Sequence, residues 1–264
     1  MLDQTVRVWM SKSLRAGALT MAVTCAMAAP SPAQEEKSKL DEKAMAVLKA
    51  MSDYVRGATT VSFRTKTFFD VVRKSGIKIK SARAGTVMLK RPNHLYVNAI
   101  TDDGAATTAW FDGSKLTIWR RSANEVMSLD FSGSTDQMLD HLIEKHEVQL
   151  PLADLLYSDL DKTFGDDLIS SEYIGLRVVD GVPCHQLSFE SQGADWQIWI
   201  EADSTPLPRR FVIDFVNSES QPQFMARLDT WSIGGQLEDF NFTAAVPEGV
   251  KRVEFKPASA GKAE

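Results

Sequence analysis

Few features of this sequence point to a reaction. Its two cysteines, Cys25 and Cys184, are too few for a disulfide scaffold or a zinc fold built on several cysteines. Basic residues are not in excess, since 30 Lys+Arg stand against 35 Asp+Glu, and this balance disfavours nucleic acid as a partner. No nucleophile elbow, P-loop or dinucleotide-binding loop occurs. With 44% hydrophobic and 25% charged residues, the chain is typical of a folded globular protein rather than a disordered or collagen-like one.

The N-terminus has the three parts of a secretory signal peptide. Basic residues precede an uncharged stretch at 16–29, and small residues that suit a signal peptidase follow it. A membrane anchor is the alternative, but a span needs about 20 apolar residues and this stretch is shorter. A lipoprotein cut before Cys25 is disfavoured because the preceding residues lack the leucine of a lipobox. We therefore predict that residues 1–33 are removed on export, and that the mature chain is periplasmic with Cys184 as its single thiol.

Amphipathic helices are predicted where apolar residues recur at helical spacing. The first helix runs from about Leu40 to Gly57, and the second starts at Ser134–Gln137, which resembles a capping box. Pro151–Tyr157 predicts a further short helix with proline in its first turn. Most of the remaining sequence alternates in polarity with a period of two, which predicts β-strands.

About eleven strands are predicted, the last of them at Phe240–Thr243, and the short gaps in the first half require antiparallel pairing. No linker divides the chain, so residues 40–256 are predicted to form one domain between a flexible lead at 34–39 and a flexible tail at 257–264. So many antiparallel strands predict a mainly β fold, a half-open barrel whose concave face is covered by short α-helices. An imperfect fit between sheet and helices would leave an apolar cavity.

Several motifs resemble those of known proteins. The sequence resembles the LolA/LolB-like half-open barrels of the lipoprotein-carrier superfamily in the order of its motifs, which are Asp180–Leu187, Trp196–Glu201, Pro206–Arg210 and, at the end, Phe240–Phe242 with Val246–Val250. Met51–Phe63 and Leu150–Asp159 look more closely like the DUF2092 family of predicted periplasmic proteins. The resemblance covers about residues 40–256. It implies a periplasmic protein with an eleven-stranded sheet around short helices, and a hydrophobic cavity that takes acyl chains or an apolar segment of a partner.

One functional residue of the superfamily, an arginine, has no clear counterpart in this sequence. The lipoprotein carrier controls its opening through a cavity arginine, and Arg64 on an early predicted strand is the nearest candidate. The residues around Arg64 do not match the carrier's pattern, so the resemblance does not assign that role to it.

Histidine and cysteine offer neither a catalytic pair nor a metal site. Cys184 and His185 are adjacent on a predicted strand and point to opposite faces, so we expect a buried structural cysteine beside a polar-facing histidine. His141 and His146 are five residues apart on a predicted helix, off the spacing of three or four that places residues on one face. We predict no metal, no cofactor and no catalytic residue, and we interpret the protein as non-enzymatic.

The apolar strand residues support two functional hypotheses. The first is a binding or carrier protein for a hydrophobic ligand, a lipid or the acyl chains of a lipidated protein, with at most transient membrane contact. The candidate residues that line its cavity are Phe63, Leu89, Val97, Ile198, Ile200 and Phe211. An error of one residue in strand register would turn this set to the opposite face. The second hypothesis is a protein-interaction or sensory domain of the same fold that contacts another envelope protein.

Overall fold

The computed structural model gives the fold for most of the chain. It describes residues 39–146, 148, 152–159, 168–235, 237 and 240–255. The predicted signal peptide at 1–33, the tail at 257–264 and all but the last residue of the lead at 34–39 lie outside the described residues. The predicted limits of a single domain at 40–256 stay a prediction.

Twelve strands of the described residues form one sheet, with a meander in each half of the chain. The strands of the first half are β1 (Thr60–Val72), β2 (Lys78–Lys90), β3 (His94–Thr101), β4 (Ala106–Phe111), β5 (Lys115–Arg120) and β6 (Glu125–Asp130). The strands of the second half are β7 (Leu168–Val179), β8 (Val182–Ser191), β9 (Asp195–Glu201), β10 (Pro208–Asp214), β11 (Gln223–Ile233) and β12 (Lys251–Arg252).

The two meanders join where β1 pairs antiparallel with β11. The strand order is therefore β12-β6-β5-β4-β3-β2-β1-β11-β10-β9-β8-β7. Neighbours are antiparallel except for β12, which runs parallel to β6. Since β7 and β12 lie at opposite edges, the sheet is open. The predicted mainly β fold, a half-open barrel with short helices, is confirmed.

Two α-helices confirm the predicted pair. In α1 (Glu42–Arg56), the side chain of Asp41 caps the first turn. In α2 (Thr135–His146), the predicted capping box is formed, because the Gln137 N–H donates to Ser134 Oγ at 3.2 Å and the Ser134 N–H donates to Gln137 Oε1 at 2.9 Å.

Two 3₁₀ turns complete the helical structure of the described residues. The turn η1 (Arg121–Ala123) joins β5 to β6, and η2 (Ala153–Leu155) follows α2. The helix predicted over 151–157 is therefore a single 3₁₀ turn where the structure describes it. Within the described part of the chain, no helix has the length and apolar character needed to cross a membrane.

The helices pack on one face of the sheet, which we call the inner face. Leu48 and Met51 of α1 and Leu139 of α2 share one buried cluster with apolar strand residues. A smaller buried cluster lies on the opposite, outer face and contains Val179, Cys184, Trp199 and Val212. The alternation of the strands therefore separates a large apolar interior from a small outer patch.

The segment before β12 crosses the outer face of the first meander. The ring of Phe240 packs edge to face on Tyr96, with centroids 4.8 Å apart, and Phe242 packs on His94 at 5.2 Å. Residues 240–243 are not in a strand. The strand predicted there is wrong, because the alternation of Phe, Asn and Phe serves these ring contacts and not a hydrogen-bonded ladder.

Candidate functional site

The six residues predicted to line a cavity all belong to, or pack against, the cluster on the inner face. Five of them are buried core residues, and Val97 is half-buried against the same cluster; the five are Phe63, Leu89, Ile198, Ile200 and Phe211. The strand alternation thus brings the whole set to the inner face. Whether these side chains contact a ligand stays a prediction.

Protein side chains pack closely around the residues of this set on β9. Ile198 and Ile200 are 0% exposed. Next to them, the ring of Trp196 stacks on Phe189 with centroids 4.0 Å apart, and the indole N–H of Trp196 donates to Ser191 Oγ at 3.0 Å. A ligand that reached Ile198 would have to displace α1, α2 or η2, and we call these three elements the cover.

Arg91, in the turn between β2 and β3, holds η2 against the sheet. Its guanidinium donates from Nη1 to the carbonyl oxygen of Leu156 at 3.0 Å and from Nη2 to that of Tyr157 at 3.2 Å. Burial lowers the pKa of Arg91, and the carboxylate of Asp136 opposes this effect. Hydrogen bonds that involve a charged donor are stronger than neutral ones, so Arg91 is the main polar attachment of η2 to the sheet among the described residues.

Arg64 makes no such contact with the described residues of the cover. It alternates with the buried Phe63 on β1, so its exposed side chain lies on the outer face. Sequence reasoning missed Arg91, because its position after a strand and before Pro92 does not reveal where the guanidinium points. The one sequence feature that could have drawn attention to Arg91 is its place directly after a predicted strand.

Two aspartates of α2 bind the residues that follow η2. The hydroxyl of Tyr157 donates to Asp140 Oδ1 at 2.9 Å, and the N–H of Ser158 donates to Asp136 Oδ2 at 3.1 Å. The Ser158 hydroxyl also donates to Asp136. Burial, followed by the hydrogen bond to Asp140, raises the pKa of Tyr157, so the phenol stays a donor. The segment after η2 is therefore fixed to α2 on one side and to Arg91 on the other.

The start of α1 is attached to the edge strand β7 through Asp41. One carboxylate oxygen accepts from the N–H of Ala44 at 2.9 Å, and the other accepts from the N–H of Tyr173 at 3.3 Å. The N–H of Asp41 donates to Ser171 Oγ at 2.8 Å. The hydrogen bond from Ala44 is the main cause that lowers the pKa of Asp41, so the carboxylate is ionised at neutral pH. One residue thus caps the helix and ties it to the sheet.

Asp154 places an ionisable group inside the cover. It lies in η2, is almost completely buried, and its Oδ1 has no hydrogen-bond partner in the part of the chain that the structure describes. Burial raises the pKa of Asp154 to about 7, since a charged carboxylate is costly in apolar surroundings. The charge of this segment therefore changes near neutral pH. No sequence pattern distinguished Asp154 from the solvated aspartates of the loops.

Cys184 and His185 lie as the strand alternation predicts. The thiol is fully buried in the outer cluster, and burial, followed by the charge of Glu201, raises the pKa of Cys184 to about 11. The ring of His185 lies on the other face, where its Nδ1 is 2.9 Å from the hydroxyl of Tyr173. The sheet separates the two side chains, so they cannot act as a nucleophile and its base.

His141 and His146 are closer together than their spacing suggested. Their rings pack edge to face with centroids 5.2 Å apart, next to the rings of Phe131 and Phe255. The spacing of five therefore does not keep the two rings apart, since His146 is the last residue of α2. In the residues that the structure describes, no group of three or more His, Cys, Asp or Glu side chains is arranged to hold a metal ion.

Known proteins resemble most of the chain. The family model described as "Predicted periplasmic protein (DUF2092)" matches residues 44–256. No curated protein matches the sequence. The structure is similar to that of the lipoprotein LppX from Mycobacterium tuberculosis, with 15% identity over 77% of this chain and 100% of that chain and a TM-score of 0.47. It is also similar to LprF from Mycobacterium bovis, with 14% identity over 80% and 99% of the two chains and a TM-score of 0.46. A LolA superfamily protein from Nitrosomonas europaea matches with 11% identity over 76% and 97% and a TM-score of 0.33.

Proposed function

The chain belongs to the DUF2092 family of predicted periplasmic proteins and is periplasmic, and we propose that it is a non-enzymatic binding or carrier protein for a hydrophobic ligand. The ligand is a lipid, or the acyl chains of a lipidated protein, held between the sheet and the cover. One observation carries the proposal: a continuous apolar inner face is closed by short elements, and the contacts of Arg91 are foremost among the polar contacts of the described residues that attach them to the sheet.

The apolar inner face supplies the binding energy in this proposal. Burial of apolar surface contributes about 25 cal/mol per Å², so a long acyl chain supplies several kcal/mol before the costs of association. The side chains proposed to contact the chain are Phe63, Leu89, Val97, Ile198, Ile200 and Phe211. Because Ile198 is not accessible when the cover is closed, binding in this proposal requires the cover to move.

A second candidate function is a protein-interaction or sensory domain. The observation that favours it is the closed interior, in which Ile198 and Ile200 are 0% exposed. In that case the partner is another envelope protein, and the inner face is only a core.

A titration of delipidated protein with fatty acids of increasing length distinguishes the two functions. The carrier function predicts affinity that rises with chain length and depends little on salt, because the contact is apolar. Ile198→Glu should abolish binding, whereas Val212→Glu, at a position of the outer cluster that is 9% exposed, should leave the affinity of folded protein unchanged. Circular dichroism confirms that each variant is folded. Absence of any chain-length trend in wild-type protein would favour the interaction domain.

A further inference from the structure

A basic, apolar hairpin tip projects from one end of the sheet. We call residues 73–80, the turn between β1 and β2 with the start of β2, the basic tip. It reads Arg-Lys-Ser-Gly-Ile-Lys-Ile-Lys, with four basic residues and no acidic one, in a chain whose net charge is −5. Ile77 is 64% exposed and Ile79 is 43% exposed. Positive charge and exposed apolar surface are thus concentrated in eight consecutive residues.

The turn of the basic tip is well ordered by its own hydrogen bonds. The N–H of Arg73 donates to the carbonyl oxygen of Ile77 at 2.9 Å, and the N–H of Gly76 donates to that of Arg73 at 2.8 Å. Gly76 has φ of +80°, a conformation that glycine adopts without strain. Lys78 Nζ donates to the carbonyl oxygen of Gln221 in the neighbouring loop at 3.3 Å. The tip therefore presents its side chains from a fixed backbone.

Asp70 positions two of the basic side chains. Its buried carboxylate lies 3.0 Å from Lys80 Nζ and 3.9 Å from Lys78 Nζ. Burial opposes its ionisation, but the N–H of Gln223 and the ammonium of Lys80 lower the pKa of Asp70. Both lysines stay exposed, at 56% and 43% of their side chains. One of the four positive charges is offset, and the others remain available to an external surface.

We propose that the basic tip docks the protein on an anionic lipid bilayer. Each lysine or arginine near an anionic leaflet strengthens binding about fivefold, and inserted apolar side chains add to this affinity. Ile77 and Ile79 alternate with lysines, so the apolar side chains enter the acyl boundary while the ammonium groups stay among the phosphates. The remaining, acidic surface of the protein is repelled, and this orients the tip toward the membrane.

An acidic protein is a weaker match for the same tip. A stable protein interface buries roughly 800 Å² on each partner, more than eight residues at the end of a narrow hairpin present. A bilayer requires no shape complementarity, and its anionic charge is continuous. Ile79 pairs with Val71, and strand alternation places both on the same face as Phe63 and Phe69 of the inner cluster. The apolar side chains of the tip therefore continue the apolar inner face toward the bilayer. Docking does not depend on whether the interior holds a lipid.

Co-sedimentation of the protein with vesicles tests this docking. Delipidated protein should bind vesicles of phosphatidylcholine that contain phosphatidylglycerol, bind pure phosphatidylcholine weakly, and dissociate as salt is raised. Lys74→Gln with Lys78→Gln should lower the partition coefficient about 30-fold, because two basic contacts are lost. Ile77→Ser with Ile79→Ser should lower it about tenfold or more.

Two matched pairs of substitutions serve as controls. Lys115→Gln with Lys251→Gln removes two exposed lysines elsewhere on the surface. Leu176→Ser with Val178→Ser removes two apolar side chains of similar exposure, 59% and 69%, on the edge strand β7. Both controls should bind as wild type does. Failure of wild-type protein to bind anionic vesicles, or an equal loss in tip and control variants, would overturn the proposal. Fatty-acid affinity is measured separately, so either proposal can fail without the other.

Discussion

The guanidinium of Arg91 lies 3.0 Å from the carbonyl oxygen of Leu156, where the sheet meets the cover. The contact joins residues that are 65 positions apart in the sequence. It is made to the backbone, so it fixes the position of η2 whatever side chains η2 carries.

Replacing Arg91 should loosen the cover. Arg91→Met removes two charged hydrogen bonds and should lower the free energy of unfolding by about 2 kcal/mol. Amide hydrogen exchange at residues 152–159 should accelerate more than exchange in β8 and β9, because local opening precedes global unfolding. Arg64→Met, on the exposed outer face, is the control and should leave both measurements near wild type. Equal acceleration throughout the sheet would contradict the assignment of Arg91 to the cover.

Asp154 should make the protein less stable as pH rises. Its pKa is about 7 in the folded protein and about 3.9 in an unfolded chain, so the native state binds more protons between these values. The free energy of unfolding should therefore fall from about pH 4 to about pH 7, by up to about 4 kcal/mol, and level off above.

Substitution of Asp154 isolates this effect. Asp154→Asn cannot ionise and should flatten the fall, as measured by urea unfolding at a series of pH values. Asp130→Asn, at a side chain that is 86% exposed, is the matched control and should keep the wild-type profile. A profile of Asp154→Asn that stayed parallel to wild type would rule out Asp154 as the group responsible.

The thiol of Cys184 should be inert in the folded protein. With a pKa raised to about 11 and no exposed surface, it should react with a thiol reagent only after unfolding. Cys184→Ser should lower the free energy of unfolding by about 1–3 kcal/mol because it buries a hydroxyl, and Cys184→Ala should cost less. Loss of ligand binding in a variant of normal stability would instead indicate a functional thiol.

The mature chain should begin between Ala29 and Gln34. Residues 1–33 fused to a reporter should carry it across the inner membrane, since the segment has the composition of a signal peptide. N-terminal sequencing of the exported protein checks the cleavage site. A diacylated Cys25 would show a tethered protein instead.

The sequence predicted the sheet and its inner face because both depend on a local pattern. The alternation of Trp196, Ile198 and Ile200 with Trp199 assigns each side chain to a face without knowledge of the partner strand. The capping box at Ser134 is equally local. These features extend over a few residues, so one sequence is enough to find them.

The contacts that close the interior could not be predicted in this way. Arg91 reaches backbone carbonyl groups that any residue offers, so no side-chain pattern identifies its partners. Asp154 differs from a solvated aspartate only by what packs around it. Phe240 and Phe242 alternate with a polar residue as strand residues do, but here the alternation places their rings on the outer face of the sheet. The sequence pattern is the same in both cases.

The pairing of β1 with β11 has a consequence for how the protein folds. Each meander forms between neighbours in sequence, but β1 meets β11 only after about 150 intervening residues have been synthesised and exported. Until then the edge of β1 carries unpaired backbone groups beside apolar side chains, a combination that promotes aggregation. The chain crosses the membrane with its N-terminal part first. The interval between export of a strand and export of its second pairing partner is therefore longest for β1. A periplasmic chaperone that binds the edge of β1 during this interval would do most to prevent aggregation.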